Sequence, residues 1–402
     1  MLIEYDNNTA RIADGQIDDI MLLPSLDFGI NRQGSRLDIE AFGLVEHASY
    51  VDDTFDSEFR GTVSANATYR VVESRLNWVV QNGLTRSNIN VLGVQTPDNV
   101  QQTYAFATGP DLTLNLSAAD TLVLGARYNF FDADDDAATT DSDGVGVFGQ
   151  WSRSLTPTST LGLSLQTSTI GFDQEIDLQP DYERRQVTAN YIKEIEGGAG
   201  QSSSIAIDVG YAEAALDGAE DVTSPYFSMR WSRQLTGGED LGVVLTREIG
   251  DVFADTLSFG NAVVIPQVQE TVVTRDPFVR SSLGVNWTKD ITDRHNLTAL
   301  LVYDEQDYDT SLLDQELIRA SVGLQWQISP LVSLSTAVQW ANQTFAEAGQ
   351  ESDNLDWTFA VTVQRTRNIF LSFGFHYTDE SNNIQNLEFD TLAARASVTY
   401  RR

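Results

Sequence analysis

The sequence predicts an all-β protein: a transmembrane antiparallel up-and-down β-barrel of about twenty strands, with short periplasmic turns and long acidic extracellular loops. Three observations predict this fold. Apolar and polar residues alternate along most of the chain, short and long connections alternate between the resulting strands, and aromatic residues gather near strand ends. Eighteen strands is the main alternative, which applies if a weak strand is misread.

Composition restricts the possibilities further. Of 402 residues, 41% are hydrophobic, so the formal charge of −33 does not indicate a disordered polymer. With only two lysines, Lys193 and Lys289, no basic surface for nucleic acid is expected. The absence of cysteine excludes disulfides and thiolate chemistry. No linker divides the chain, so residues 1–402 are predicted to form a single domain.

The sequence also shows no pattern typical of a transmembrane helix or of a signal peptide. No run of about 18 apolar residues is present, so no transmembrane helix is predicted. The first residues lack a basic and apolar signal peptide, and we expect Met1 to begin a trimmed or mature chain.

Strict alternation defines the individual strands. In residues 279–287 the apolar Val279, Leu283 and Trp287 share one face, and small or polar residues occupy the other. Nineteen strand cores follow from this pattern: 17–31, 36–50, 57–72, 75–90, 100–117, 120–132, 143–155, 159–172, 181–195, 202–213, 223–235, 240–251, 276–290, 295–306, 315–328, 331–345, 354–366, 368–379 and 387–401. A twentieth, Leu2 to Asn8, is required for both termini to lie on the periplasmic side.

The connections and aromatic residues give the orientation. Long loops are predicted at 51–56, 86–99, 132–143, 173–181, 214–223, 252–275, 307–314, 346–353 and 380–386, and they alternate with short turns such as 32–35 and 292–294. Tryptophans and tyrosines fall at both strand ends and predict two interfacial girdles. A soluble β-sandwich also has alternating strands, but it does not predict these girdles or the alternation of loop lengths.

The charges sort by position. Most acidic residues fall in the long loops, whereas the inward face carries arginines, because a lipid-facing guanidinium at the membrane midplane costs about 2 to 4 kcal/mol. The predicted lumen-lining residues are Arg60, Arg70, Arg127, Arg184, Arg230, Arg280, Arg319 and Arg395, opposed by Asp27, Asp38, Glu40, Asp208 and Asp356. Two roles remain open for them: forked donors to a solute in a hydrated lumen, or an internal network that braces the wall.

Two long loops carry further signals. Asp132, Asp134, Asp136 and Asp143 resemble part of a calcium-binding loop, although Ala137 replaces the required glycine and Asp143 the bidentate glutamate. A Ca²⁺ site here and a solvated acidic loop are both possible, and no other cofactor is expected. Segment 253–275 is unusually apolar, with Val263, Val264, Ile265, Val268, Val272 and Val273. It is expected either to fold into the lumen as a constriction or to project above the barrel.

No enzyme is predicted. The three histidines, His47, His295 and His376, form no Ser/His/Asp grouping that spacing alone reveals.

Short motifs resemble a known family. Residues 96–116, TPDNVQQTYAFATGPDLTLNL, together with Tyr5–Asn8 and Leu23-Pro24-Ser25-Leu26, resemble the β-barrel porins associated with PEP-CTERM and exopolysaccharide systems of Gram-negative bacteria. The resemblance implies an outer-membrane barrel that works beside polysaccharide export machinery, without an established catalytic residue to transfer.

The functional hypothesis is therefore an outer-membrane conduit for exopolysaccharide secretion. The alternatives are a general diffusion or cation-preferring porin, and a non-conducting structural or surface-binding barrel whose acidic loops hold calcium. Expected partners are outer-membrane lipid and lipopolysaccharide, with polysaccharide and periplasmic export components. The oligomeric state is not readable from the sequence.

Overall fold

The protein is described here from a computed structural model. It describes the chain except for residues 13–14, 91, 94–95, 135–139, 174–180, 199–200, 252, 254–273, 309–312, 384–386 and 402. In the described part, no helix is long and apolar enough to cross a membrane.

Strands make up almost all regular structure. They are β1 (Leu2–Asp6), β2 (Asp19–Leu23), β3 (Ser25–Gln33), β4 (Leu37–Tyr50), β5 (Glu58–Val72), β6 (Leu76–Asn88), β7 (Val100–Asn115), β8 (Asp120–Ala133), β9 (Ser142–Thr156), β10 (Ser159–Phe172), β11 (Tyr182–Glu196), β12 (Ser202–Leu216), β13 (Val222–Leu235), β14 (Glu239–Gly250), β15 (Phe278–Thr292), β16 (His295–Tyr308), β17 (Gln315–Ser329), β18 (Val332–Phe345), β19 (Gln350–Gln364), β20 (Ile369–Asn382) and β21 (Leu387–Tyr400). A 3₁₀ turn at Pro97–Asn99 lies between β6 and β7.

The strands form one closed antiparallel barrel. From β3 to β21 each strand pairs with the next along the chain, and β1 closes the ring between β21 and β2. β2 and β3 occupy one position in the wall, because both pair with β4 in the same register and only Pro24, which has no N–H, separates them. The barrel therefore has twenty strand positions, which confirms the predicted count.

The two ends of the barrel differ as the sequence predicts. Connections such as 34–36 and 330–331 are tight turns at one end, whereas the opposite end carries the long loops. Both chain ends lie at the short-turn end: Met1 bonds to Val398, and Arg401 bonds to Asn368.

One face of the strands is apolar. Val145, Val147, Leu163 and Leu165 are each about half exposed or more, although they are large hydrophobic residues. Aromatic residues on the same face stand near both strand ends, among them Tyr69, Trp78, Trp326 and Tyr400 at the short-turn end and Tyr128, Tyr211, Trp340 and Trp357 at the long-loop end. The structure therefore contains the two girdles that the sequence predicts.

Glycines on the other face let neighbouring strands approach closely. A Cβ atom on Gly210 would lie 1.9 Å from the carbonyl oxygen of Val187, and one on Gly109 equally near that of Ala126. Gly144 and Gly374 are similar, at 2.0 and 2.2 Å. Such glycines allow a sheet to bend into a closed wall.

Candidate functional site: the barrel lumen

Long-range contacts identify the polar face as the interior. Phe253, three residues after the end of β14, packs against a cluster formed by Ala105 of β7 with Phe131 and Ala133 of β8, seven and six strands away. Arg184 of β11 reaches Asp251, which also follows β14. Strands so far apart around a ring can meet only across its interior, so the arginine-bearing face lines the lumen and the apolar face points outward.

The inward arginines are mostly held by ion pairs. The carboxylate lies on the same or a neighbouring strand in every pair except Arg184–Asp251, where it follows β14. The shortest contacts are Arg60–Glu58 at 2.7 Å, Arg127–Asp111 at 2.6 Å, Arg184–Asp251 at 3.1 Å, Arg280–Asp304 at 2.6 Å and Arg395–Glu4 at 2.7 Å, together with Arg70–Asp38. These pairs match the bracing role better than that of free donors.

Arg230 and Arg319 differ from this pattern. The Arg230 side chain is 62% exposed and lies 3.9 Å from Asp208, at the limit of an ion pair. Arg230 is therefore the predicted lumen arginine whose guanidinium, within the described part of the chain, is most exposed to a solute in the lumen. Arg319 lies on the inner face of β17 and its Nε atom is buried.

A cluster around His376 ties the first strand to the last three. Asp356 accepts from His376 Nε2 at 3.0 Å, and Arg395 Nη2 lies 3.1 Å from Nδ1 while its Nε donates to Glu4 at 2.7 Å. Because a guanidinium only donates, Nδ1 is the acceptor and Nε2 carries the proton. Thr378 Oγ1 is also near Nε2, at 3.3 Å. A catalytic relay needs the hydroxyl and the carboxylate on opposite ring nitrogens, so this cluster is a structural clamp.

Amide side chains line a cavity in the inner wall. The cavity has a volume of about 480 Å³ and lies along β6 to β13. Its amide-bearing residues are Gln81, Asn129, Gln150, Gln166, Gln186 and Asn190. Phe148, Tyr226 and Phe253 add aromatic surface, and Arg127 stacks on Phe148 with 5.2 Å to the ring centroid. Each amide both donates and accepts hydrogen bonds and carries no charge, so this surface suits polar uncharged groups.

Two connections at the long-loop end contact the interior of the barrel: the one between β14 and β15, and the one between β6 and β7. Phe253 reaches the cavity from the end of β14, and Arg275, only 3% exposed, stacks on Phe172 before β15 begins. Burial lowers the pKa of Arg275, although the carboxylates of Asp181 and Asp141 oppose this shift. The loop after β6 contributes from another side, because Gln350 of β19 donates to the Leu92 carbonyl at 3.1 Å. These contacts show that both connections lie within the long-loop opening of the barrel.

The structure describes only some of the remaining predicted site residues. Val263, Val264, Ile265 and Val268 of the predicted constriction lie outside the described residues, as does Asp136 of the calcium candidate. Asp132 and Asp143 stand on the outward face at the ends of β8 and β9, and Asp134 follows β8. Among described residues no group of three carboxylates or histidines is arranged to hold a metal ion. Calcium binding stays a prediction.

Sequence reasoning missed several lumen residues. Glu4, Glu58 and Asp111 complete ion pairs, and Tyr50 accepts from Arg60 at 2.6 Å. All four positions have the inward parity of their strands, so the alternation could have revealed them, although Glu58 was counted with the acidic residues of a long loop. Phe253 had no such signal, since it follows a strand and its partners lie more than 100 residues away.

Comparisons with known proteins give only remote structural matches. No protein-family model matches the chain, and no curated protein matches its sequence. The FrpB iron transporter from Neisseria meningitidis, in its apoprotein form, is similar over 99% of this chain and 80% of its own, with 8% identity and a TM-score of 0.47. OpdL of Pseudomonas aeruginosa matches 99% of this chain and 96% of its own, at 13% identity and a TM-score of 0.39. OpdK of the same organism, with vanillate, matches 99% and 97%, at 13% and 0.42.

Proposed function

We propose that this protein is an outer-membrane pore and that its lumen conducts a polysaccharide to the cell surface. A closed ring leaves almost no strand edge to hydrocarbon, and its outer face is an apolar band between aromatic girdles. These properties suit a barrel that crosses the outer membrane, with the short turns in the periplasm and the long acidic loops outside.

The amide-rich inner wall is the observation that supports a polysaccharide as the solute. Sugar hydroxyls donate and accept hydrogen bonds, as do the side chains of Gln150, Gln166 and Gln186. Ion pairing neutralises most inward arginines, so a long uncharged chain would meet few fixed charges that could retain it. The aromatic rings of Tyr226 and Phe253 offer apolar surface to the C–H faces of a sugar ring. The resemblance of residues 96–116 to exopolysaccharide-associated barrels supports the same cargo.

The test has a conduction part and a cellular part. Liposomes that contain the purified protein should swell in neutral oligosaccharides, and replacement of Gln150, Gln166 and Gln186 by leucine should slow sugar entry more than chloride or potassium conductance. Leucine replacements of Gln325, Gln327 and Gln339, which lie outside that cavity on the inner face of β17 and β18, serve as the control. The export proposal fails if deletion of the gene leaves the surface polysaccharide unchanged.

A second candidate is a cation-preferring porin, and a specific observation favours it. Asp27 and Glu40 lie on the inner face of β3 and β4, are exposed, and have no ion-pair partner among the described residues. Fixed carboxylates without counter-charges attract cations. A reversal potential near zero under a potassium chloride gradient would exclude this candidate, and absent conductance would leave the non-conducting barrel.

A further inference from the structure

A groove on the outer face of the barrel crosses strands β8 to β12 and has a volume of about 800 Å³. Its apolar walls are outward side chains, each 42% to 64% exposed: Leu124, Val147, Leu165 and Val187. Gly149 pairs with Leu124 on one side and with Leu165 on the other, and its lack of a side chain leaves a notch between the two leucines. The wall therefore has a depression here that an apolar chain can fill.

One end of the groove is charged. Glu183 and Arg185 share the outward face of β11 with Val187, and Glu213 lies directly opposite Arg185 on β12. Arg185 Nε donates to Glu183 Oε1 at 3.0 Å, and its Nη2 donates to Oε2 at 2.7 Å. Thr167 Oγ1 donates to the same carboxylate at 2.9 Å, which fixes the position of Glu183. The groove is therefore amphipathic, with an apolar body and a charged end.

The charged end lies at the level expected for lipid headgroups. Tyr211 belongs to the aromatic girdle at the long-loop end, and Glu213 follows it on β12 by two residues in the direction of the loops. Arg185 pairs with Glu213 across the ladder, so its guanidinium also stands on the loop side of the girdle. An outward-facing charge costs far less at this level than at the membrane midplane.

The charges select the kind of headgroup. Arg185 Nη1 lies 3.7 Å from Glu213 Oε2, which is longer than a hydrogen bond, and the two side chains are 54% and 31% exposed. One guanidinium beside two carboxylates leaves a net charge of −1. A purely anionic headgroup would therefore be repelled. A headgroup with both an ammonium and a phosphate finds a partner for each charge, in Glu213 and in Arg185.

We propose that this outer groove is a binding site for a lipid whose headgroup carries a primary ammonium and a phosphate. The ammonium donates to Glu213, the phosphate accepts from Arg185 Nη1, and an acyl chain lies in the notch at Gly149. Glu183 holds the guanidinium in place through its two hydrogen bonds. This inference rests on the proposed membrane location but not on the solute, because the groove lies outside the lumen.

Lipid retention by the unsubstituted protein tests the headgroup. The purified, delipidated protein in detergent micelles is mixed with equal amounts of phosphatidylethanolamine, phosphatidylcholine and phosphatidylglycerol, and native mass spectrometry identifies the retained lipid. Phosphatidylethanolamine should be retained about tenfold better than phosphatidylcholine, whose trimethylammonium has no N–H to donate. Equal retention of the three lipids, or a preference for the anionic phosphatidylglycerol, would overturn the proposal. So would a lipid-free protein dimer, which would identify a second copy as the occupant.

Substitutions at the charged end should remove the preference. Arg185→Gln and Glu213→Gln should each lower the retention of phosphatidylethanolamine to that of phosphatidylcholine, because each removes one charged partner of the headgroup. The matched control is Arg153→Gln: Arg153 is 53% exposed on the outward face of β9 at the short-turn end, 3.7 Å from Asp120. An equal loss of preference in this control would contradict a site at the groove.

The notch is tested by Gly149→Leu, which should lower the retention of all three lipids. The new Cβ would meet only Leu124 Cδ2, at 3.3 Å, so the wall can accommodate it. The control is Ala320→Leu, which lies between Leu301 and Trp340 on the outward face of β17. Equal effects of the two substitutions would refute the notch as the acyl site.

A soluble headgroup separates a lipid site from a site for a phosphate ester. Glycerophosphoethanolamine, which has the headgroup without acyl chains, should not displace the bound lipid from the unsubstituted protein. Displacement at an equal concentration would overturn the lipid site. Sugar uptake by vesicles that contain the Arg185→Gln variant reports on the proposed pore function separately and should be normal.

Discussion

The ion pair between Arg184 and Asp251 offers a direct test of whether the lumen arginines brace the wall or bind solute. The two side chains are 13% and 8% exposed and lie 3.1 Å apart. We compare Arg184→Met, Asp251→Asn and the double variant with the unsubstituted protein. Methionine retains the bulk of the arginine stem, so packing against the neighbouring strands changes little.

The structure sets the expected magnitudes. Removal of one partner leaves the other charge buried without this ion pair, which costs about 3 to 5 kcal/mol of unfolding free energy. The double variant removes both charges, so its loss should fall to about 1 to 2 kcal/mol. Arg184 Nε has no hydrogen-bond partner, so the double variant loses no further donor contact there. The two substitutions should therefore be strongly non-additive.

Urea unfolding in lipid vesicles, followed by tryptophan fluorescence, measures these free energies, and sugar uptake by the same vesicles measures conduction. If Arg184 braces the wall, the double variant conducts sugar at the normal rate. Additive losses of stability would refute the bracing role. Normal stability combined with a large loss of uptake in the double variant would instead show that the arginine acts on solute.

Three other predictions address the wall, the closure and the membrane location. Gly210→Val should destabilise the barrel by about 2 kcal/mol or more in urea unfolding, because the new Cβ would lie 1.9 Å from the Val187 carbonyl oxygen. Gly29→Val is the control and should cost little, because a Cβ at residue 29 meets no atom within 4 Å. Equal losses of stability in the two variants would contradict this prediction. Arg395→Met leaves Glu4 without its partner and should speed proteolysis within residues 1–12, with Arg153→Met as the exposed control. Trp357 should be quenched by brominated lipids, and quenching absent from all tryptophans would refute the membrane location.

Most of the fold could be predicted from the sequence, because strand periodicity is a local property. Side chains at alternate positions face opposite sides of a strand, so the placement of Arg127 and Arg280 inside followed without knowledge of their neighbours. The strand count also followed, since the short turns and long loops are visible in order. Register was not predictable, because alternation fixes the face of a residue but not its partner across the ladder.

The candidate site was harder to predict from the sequence, because it depends on the register between strands. The sequence placed Arg395 and Asp356 on the inner face, but only the ring closure of β1 against β21 brings Glu4 to Arg395, which also contacts His376. The amide-lined cavity likewise combines residues from eight strands, β6 to β13.

The sequence by itself determined the fold class, the two faces of each strand and the acidic character of one end, since each depends on neighbouring residues or on composition. The tertiary structure alone decided which arginines are paired and which segments enter the mouth of the barrel. These features depend on residues hundreds of positions apart, which only the closed ring places side by side.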